Sequence, residues 1–209
     1  MPTLTSPNVA QVTRWFDLDP AKRPAVAPAD LRIDPPPPGQ ITLIHGPSGS
    51  GKSMLLRRLK RRWRRSHPHT ALIDLDRLHL PDQPLVDCFG DRPLIDVLRL
   101  LGRCGLGEAW CYLQSPAQLS DGQRWRFRLA LGLAQADRHA HAILLCDEFG
   151  ALLDDITAAV VARSLRRILA HTPNLAAVCA TSRELIHALQ PDRVITCDFG
   201  KIAVNNGSR

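Results

Sequence analysis

The spacing of apolar and polar positions changes several times along the chain, and those changes divide it. Residues 41–44 (ITLI) form a short β-branched run with no charged position, the pattern of a strand buried on both faces. Residues 142–146 (AILLC) and 176–180 (AAVCA) repeat it, and 70–74 (TALID) and 193–197 (RVITC) do so with one charged residue at an end. Between these runs the period lengthens to that of a helix. Residues 54–65 continue one from Ser53, 91–104 carry Leu94, Ile95, Val97, Leu98, Leu100 and Leu101, and 106–113 look helical too. Ser120 opens a helix to about Ala136, and 156–170 and 183–190 are further helices. Short apolar strands alternating with helices predict an α/β fold with a mostly parallel sheet flanked by helices. The block 91–136 has no strand inside it, so it is expected to form a small helical subdomain.

The ends of the chain lack this rhythm. Residues 1–10 read as a loose end, and 11–18 (QVTRWFDL) as a short strand or turn bearing two aromatics. Residues 19–39 are rich in proline and alanine and finish in four prolines and Gly39, which favours extended and turn backbone. Leu31 and Ile33 are expected to pair briefly as an edge strand. The boundaries that follow are 1–39 for an N-terminal segment with a Pro-rich linker, 40–200 for the main domain, and 201–209 for a tail.

Composition narrows the class. A length of 209 residues with 44% apolar side chains supports one domain with a real core. No run nears the about 18 to 20 apolar residues needed to span a bilayer, and the first residues lack a secretory pattern, so a cytoplasmic location is expected. The six cysteines form no Cys-x-x-Cys pair and read as reduced, mostly buried thiols. The net charge of +7 concentrates in Arg57, Arg58, Lys60, Arg61, Arg62, Arg64 and Arg65, a candidate polyanion or nucleic-acid face whose plainer reading is a solvated helix surface.

The chemistry starts where the first strand ends. Gly46-Pro47-Ser48-Gly49-Ser50-Gly51-Lys52-Ser53 matches the phosphate-binding loop Gly-x4-Gly-Lys-Ser/Thr between a strand and a helix. Glycines let backbone N–H groups wrap phosphates, and the helix N-terminus adds positive potential at the same point. Lys52 would neutralise the terminal phosphates, and Ser53 would offer its hydroxyl to Mg²⁺. The strand 142–146 ends in Asp147-Glu148. Ligands collect at the carboxyl ends of parallel strands, which makes Asp147 a second Mg²⁺ ligand and Glu148 the base that polarises the attacking water.

Leu119-Ser120-Asp121-Gly122-Gln123, followed by an arginine-rich and alanine-bearing helix, resembles the signature of the ATP-binding cassette (ABC) ATPases, and it stands between the phosphate loop and the Asp-Glu strand as it does there. Phe149-Gly150-Ala151-Leu152-Leu153-Asp154 is similar to the D-loop of that family. The resemblance covers 40–194. It implies that Ser120, Asp121, Gly122 and Gln123 reach the nucleotide of a second copy, that Asp154 lies at the seam, and that ATP holds a homodimer together. Leu-Ser-Asp-Gly-Gln-Arg with an aromatic next, Asp-Glu-Phe and Val-Asp-Cys-Phe-Gly at 86–90 are similar to soluble ABC ATPases often fused to an acetyltransferase-like domain.

Departures from the family pattern set further expectations. Ser182 stands at the place of the switch histidine, so hydrolysis is expected to be slow unless Arg183 substitutes; His187 reads as an ordinary helix residue. Gln83 is the nearest candidate for the glutamine that joins sheet to helical lobe, in a short, proline-broken stretch. Trp15 or Phe16 is expected to stack on adenine, a small core cluster being the equal alternative. The favoured function is an ATPase coupling ATP-driven dimer closure to a soluble protein partner. A nucleotide-binding subunit of a membrane transporter, a small-molecule kinase using Asp74 or Asp76, and a nucleotide-gated module with weak turnover are the alternatives.

Overall fold

The structure is a computed structural model and describes residues 6–17 and 32–206. Its centre is a six-stranded sheet built from β1 (Ile41–His45), β2 (Ala71–Asp74), β3 (Ala142–Cys146), β4 (Leu175–Thr181), β5 (Arg193–Asp198) and β6 (Lys201–Asn206). The spatial order is β2-β3-β4-β1-β5-β6. The first five strands are parallel, and β6 closes the edge antiparallel to β5. All five residues of β3 and all seven of β4 are buried, which is why their sequences read as unbroken apolar runs.

The period-2 alternation still sorts side chains by face. Ile143 and Leu145 point to the same side as Leu55, Leu59 and Trp63 of α2 (Lys52–Ser66). Leu144 and Cys146 point the other way, into a cluster with Leu101 of α3 (Leu94–Arg103), Phe127 and Leu133 of α5 (Asp121–Ala136), and Leu165 of α6 (Asp155–Ala170). Residues 91–136 therefore share one continuous core with the sheet. Each fully buried leucine contributes about 2 kcal/mol of transfer free energy to that arrangement. All six thiols are free, and burial pushes Cys104 up to about 12.

Several boundaries differ from the sequence reading, each for a local reason. Residues 7–15 form a helix, α1 (Pro7–Trp15), where a loose end and a strand or turn were expected. Ser6 caps it by accepting from the Val9 amide at 3.2 Å, and Pro7 takes the first-turn position. Ile33 is buried but unpaired as a strand; its carbonyl accepts from Trp63 Nε1 at 2.9 Å, while Leu31 lies outside the described residues. The helix expected at 106–113 shrinks to α4 (Ala109–Tyr112), because Gly105 turns the chain with φ +85° and Leu106 is anchored in the core. That expected at 183–190 shrinks to α7 (Ile186–Leu189), stopped by Gln190 in the left-handed region before Pro191.

Residues 201–206, assigned above to a tail, are strand β6. The signal was a hairpin turn rather than an apolar run: Phe199 and Gly200 both take positive φ, +36° and +95°, the backbone of a tight two-residue turn. A phenylalanine in that position hid it.

Candidate functional site

Four strand ends converge where the sequence placed its chemistry. The loop from Gly46 leaves β1 between β4 and β5 and feeds α2. Gly46 has φ +151°, and a Cβ there would lie inside the van der Waals surface of the Cys197 carbonyl oxygen on β5. Gly49 and Gly51 have φ +78° and +97°. These positions need glycine because an L side chain is strained at positive φ and, at Gly46, has no room. Lys52 folds back over the loop, donating from Nζ to the carbonyls of Gly46 at 2.8 Å and Pro47 at 2.7 Å. Ser50 Oγ is buried without a hydrogen-bond partner. A cavity of about 350 Å³ opens here, bounded by Gly49, Lys52, Ser53, Glu148, Ala151 and Ser182 among others.

Asp147 and Glu148 stand across from the loop. Ser53 Oγ donates to Asp147 Oδ1 at 3.0 Å, which places a hydroxyl and a carboxylate, both hard oxygen donors, side by side. That donor set fits Mg²⁺, which keeps several waters and phosphate oxygens and takes one or two protein ligands. Glu148 is exposed to the cavity, and its backbone sits at φ +48° with its amide donating to Asp147 Oδ1 at 3.1 Å. A non-glycine residue held there is strained, and such strain gathers at functional positions.

The signature segment is a capped helix start. Ser120 Oγ accepts from the Gln123 amide at 3.3 Å, and Gln123 Oε1 accepts from the Ser120 amide at 3.0 Å, a complete capping box. Gln123 also donates to Glu108 at 2.8 Å. The sulfhydryl of Cys111 and the amide of Gln123, both donating to it, hold the Glu108 carboxyl below its ordinary value. Asp121 pairs with Arg124 one turn on, and Ser120 and Asp121 are exposed. Gly122 lies against the D-loop, where a Cβ would stand 3.0 Å from the Leu152 carbonyl oxygen. Asp154 caps α6, accepting from the Thr157 amide at 2.9 Å.

Comparison with known proteins bears on this motif order. No family model matches the chain. The methionine import ATP-binding protein MetN of Xanthomonas oryzae pv. oryzae is 32% identical over 219 aligned positions, covering 90% of this chain and 62% of that protein. The phosphonates import ATP-binding protein PhnC of Hyphomonas neptunium is 29% identical, covering 80% and 76%. The chain thus spans about three fifths of the methionine-import relatives it matches. Among solved structures, the dimeric ATP-binding cassette MJ0796 bound to ADP and Pi superposes with a TM-score of 0.59 at 20% identity, covering 84% of this chain and 88% of that one. The cbiO1 protein of Clostridium perfringens gives 0.55 at 19%, covering 81% and 78%. The chain has the fold of an ABC-type ATPase. Its relatives in sequence support the same family.

Several residues depart from the wording of that family, and other contacts occupy their places. Ser182 does border the cavity, beside Thr181. Arg183 does not reach into it as a substitute cation: its guanidinium donates to Asp155 at 2.6 Å and to the Leu153 carbonyl at 2.6 Å. His187 bounds a different cavity with Arg166 and Gln190, as an ordinary helix residue. Gln83 spends its side-chain amide on the Asp87 carbonyl at 2.6 Å, beside a 3₁₀ turn over Leu85–Phe89, and does not border the cavity at the phosphate loop. Asp74 is neutralised by Lys60 and faces Arg77, which removes it as a substrate-binding acid.

Trp15 and Phe16 are 70% and 69% exposed at the end of α1 and are not among the cavity's bounding residues, so neither forms a core cluster nor borders the phosphate loop. Another aromatic does. Phe199, 58% exposed in the β5–β6 turn, brings its ring edge to 4.0 Å of the Cβ position at Gly49. Sequence reasoning missed it because adjacency between β1 and β5 is a property of the sheet. Asp76, named above only for the kinase alternative, also lies near this site. It lies two residues past β2, in the 3₁₀ turn Leu75–Arg77, close enough to Asp147 and Glu148 to feel their charges. Partial burial, then the charges of Asp74 and Asp147, push its carboxyl above the ordinary value, with Arg128 opposing.

On α2 the arginines at 57, 58, 61, 62, 64 and 65 are exposed, while Lys60 is buried on Asp74. Trp63 is fully buried in the sheet-facing cluster, so the one aromatic within the basic run belongs to the core. Among the described residues no helix is long and apolar enough to cross a membrane.

Proposed function

We propose that the chain binds Mg·ATP between its phosphate loop and the signature of a second copy, and hydrolyses it with Glu148 as base. The carrying observation is the placement of Lys52, Ser53 and Glu148 around one cavity, with Asp147 bonded to Ser53, and of Ser120 and Asp121 exposed at the start of a separate helix. Lys52 would trade its two loop carbonyls for phosphate oxygens. Ser53 and Asp147 would hold the Mg²⁺, which offsets charge on the phosphates. Glu148 would take the proton of the attacking water. The exposed Phe199 ring would cover adenine. Gly122, backed by the D-loop, would present its amide to the partner's triphosphate.

The relatives in sequence are ATP-binding proteins of importers, and this supports a nucleotide-binding transport subunit as the partner reading. Trp110 of α4, Leu113 just after it, and Leu94 and Ile95 of α3 are exposed apolar side chains that a partner could cover. A soluble partner process, including partnership with an acetyltransferase-like domain, is the second reading. It is favoured by Gln83 being committed to its own turn, which leaves the segment that joins sheet to helical block without a free glutamine.

Sizing chromatography of Glu148→Gln with and without Mg·ATP tests the core proposal. A shift from monomer to dimer only with nucleotide is expected, and a monomer at saturating ATP rejects it. Affinity purification from detergent-solubilised membranes separates the two partner readings, since only the transport reading expects a membrane protein in stoichiometric yield.

A further inference from the structure

The loop that carries the base, 148–154, is stapled to the end of β4 and the residues just after it. The Phe149 amide donates to the Ala180 carbonyl at 2.8 Å, and Thr181 Oγ1 donates to the Phe149 carbonyl at 3.0 Å. Arg183 supplies the rest: its guanidinium reaches the Leu153 carbonyl at 2.6 Å and the Ala151 carbonyl at 3.4 Å, and pairs with Asp155 at 2.6 Å. The Arg183 amide in turn donates to Thr181 Oγ1 at 3.1 Å. Ala151, which the clamp holds, and Ser182, which lies between its members Thr181 and Arg183, both border the cavity.

The loop needs such support. Glu148 holds φ +48°, a strained value for a residue with a Cβ, while Gly150 beside it takes +71° without strain. Of the three groups on Arg183, Asp155 is 98% exposed in its side chain and contributes little as an ion pair. The carbonyls are different. They belong to the D-loop backbone, and one guanidinium nitrogen, Nη2, donates to both while Nη1 keeps Asp155, a reach across two sides that a single ammonium nitrogen does not match.

We propose that Arg183 is a positioning residue that transmits nucleotide occupancy at Ser182 to the D-loop. It acts through the backbone of 151–153 rather than on a phosphate. The proposal rests on the ATPase reading for its effect on turnover, but its structural part does not. A phosphate oxygen hydrogen-bonded to Ser182 would fix the residue next to the clamp. The clamp would then hold Ala151 and Leu153, and with them the strained base Glu148 and the α6 cap at Asp154.

The test compares Arg183→Ala and Arg183→Lys with the parent protein by hydrogen exchange at the 149–154 amides, with and without Mg·ATP, and by steady-state turnover. In the parent, nucleotide is expected to slow exchange across the loop; in Arg183→Ala that slowing is lost, and in Arg183→Lys it is recovered in part. Turnover in Arg183→Ala is expected to fall about tenfold or more in kcat with KM changed less than about threefold, as for misplacement of a reacting group rather than loss of a ligand. Nucleotide protection of the loop in Arg183→Ala equal to that of the parent would overturn the proposal. So would a tenfold loss of Mg·ATP affinity, which marks a direct phosphate ligand. Absence of turnover in the parent, with loop protection still dependent on Arg183, would count against the ATPase reading alone and uphold the clamp.

Discussion

Single residues at the site are constrained by space as much as by chemistry. Gly46 combines a left-handed φ with a carbonyl oxygen where a Cβ would go. Gly46→Ala is expected to lower unfolding free energy by about 3 kcal/mol or more, read by denaturant melts, because both backbone and loop must shift. Phe199 poses the opposite case, a large side chain left in the open at φ +36° beside the phosphate loop. Phe199→Ala is expected to weaken ATP about tenfold in equilibrium binding, the size of one lost base–aromatic stack. Trp15→Ala and Phe16→Ala should leave it unchanged. The glycines and the lysine were legible as a motif. Phe199 was not, since its neighbour Gly49 is 150 residues away and only strand pairing brings them together.

At the scale of elements, caps decided more boundaries than periodicity did. α5 and α6 begin where Ser120 and Asp154 say they should, because each side chain accepts from an otherwise orphan amide. The Thr157 side chain and amide hold the Asp154 carboxyl below its ordinary 3.8. A depressed carboxyl stabilises the fold above its unfolded pKa and loses that contribution as pH falls through the folded value. Asp154→Ala should therefore lower the melting temperature of the nucleotide-free protein at neutral pH. The gap from the parent should close as pH is taken below the ordinary carboxylate range, and a gap constant in pH would show that the cap is not electrostatic. α1 and β6 escaped the same reading for opposite reasons. Ser6-Pro7 is a good helix start that a β-branched and aromatic stretch concealed, and the 199–200 turn lacks the usual residue at its first position.

For the whole molecule, the decisive question is whether each ATP is gripped by two copies. Gly122 lies at the head of α5, backed by Leu152 and Leu153 of the D-loop, whereas Lys52 and Glu148 bound the cavity. In a two-fold assembly, a chain lacking its lysine still offers an intact signature, and a chain lacking its signature still offers an intact phosphate loop. Lys52→Ala and Gly122→Asp should each be inactive alone. An equimolar mixture should recover up to about a quarter of parent turnover, since half the dimers are mixed and each has one complete site. Failure of the mixture to recover any activity would place the signature in the same chain's site or outside catalysis.

The order of strands, helices and phosphate-handling motifs was determined by the sequence, because each rests on interactions within a few residues: apolar periodicity, capping side chains, and glycines demanded by local backbone. Tertiary structure decided which distant residues meet. It set Phe199 beside Gly49, brought Asp76 within reach of the Asp147 charge, turned Trp63 and Lys60 inward, and bound Arg183 to the D-loop instead of the cavity. Those outcomes follow from the strand order, in which β1 lies between β4 and β5 although both come more than 120 residues later. No local rule carries that order.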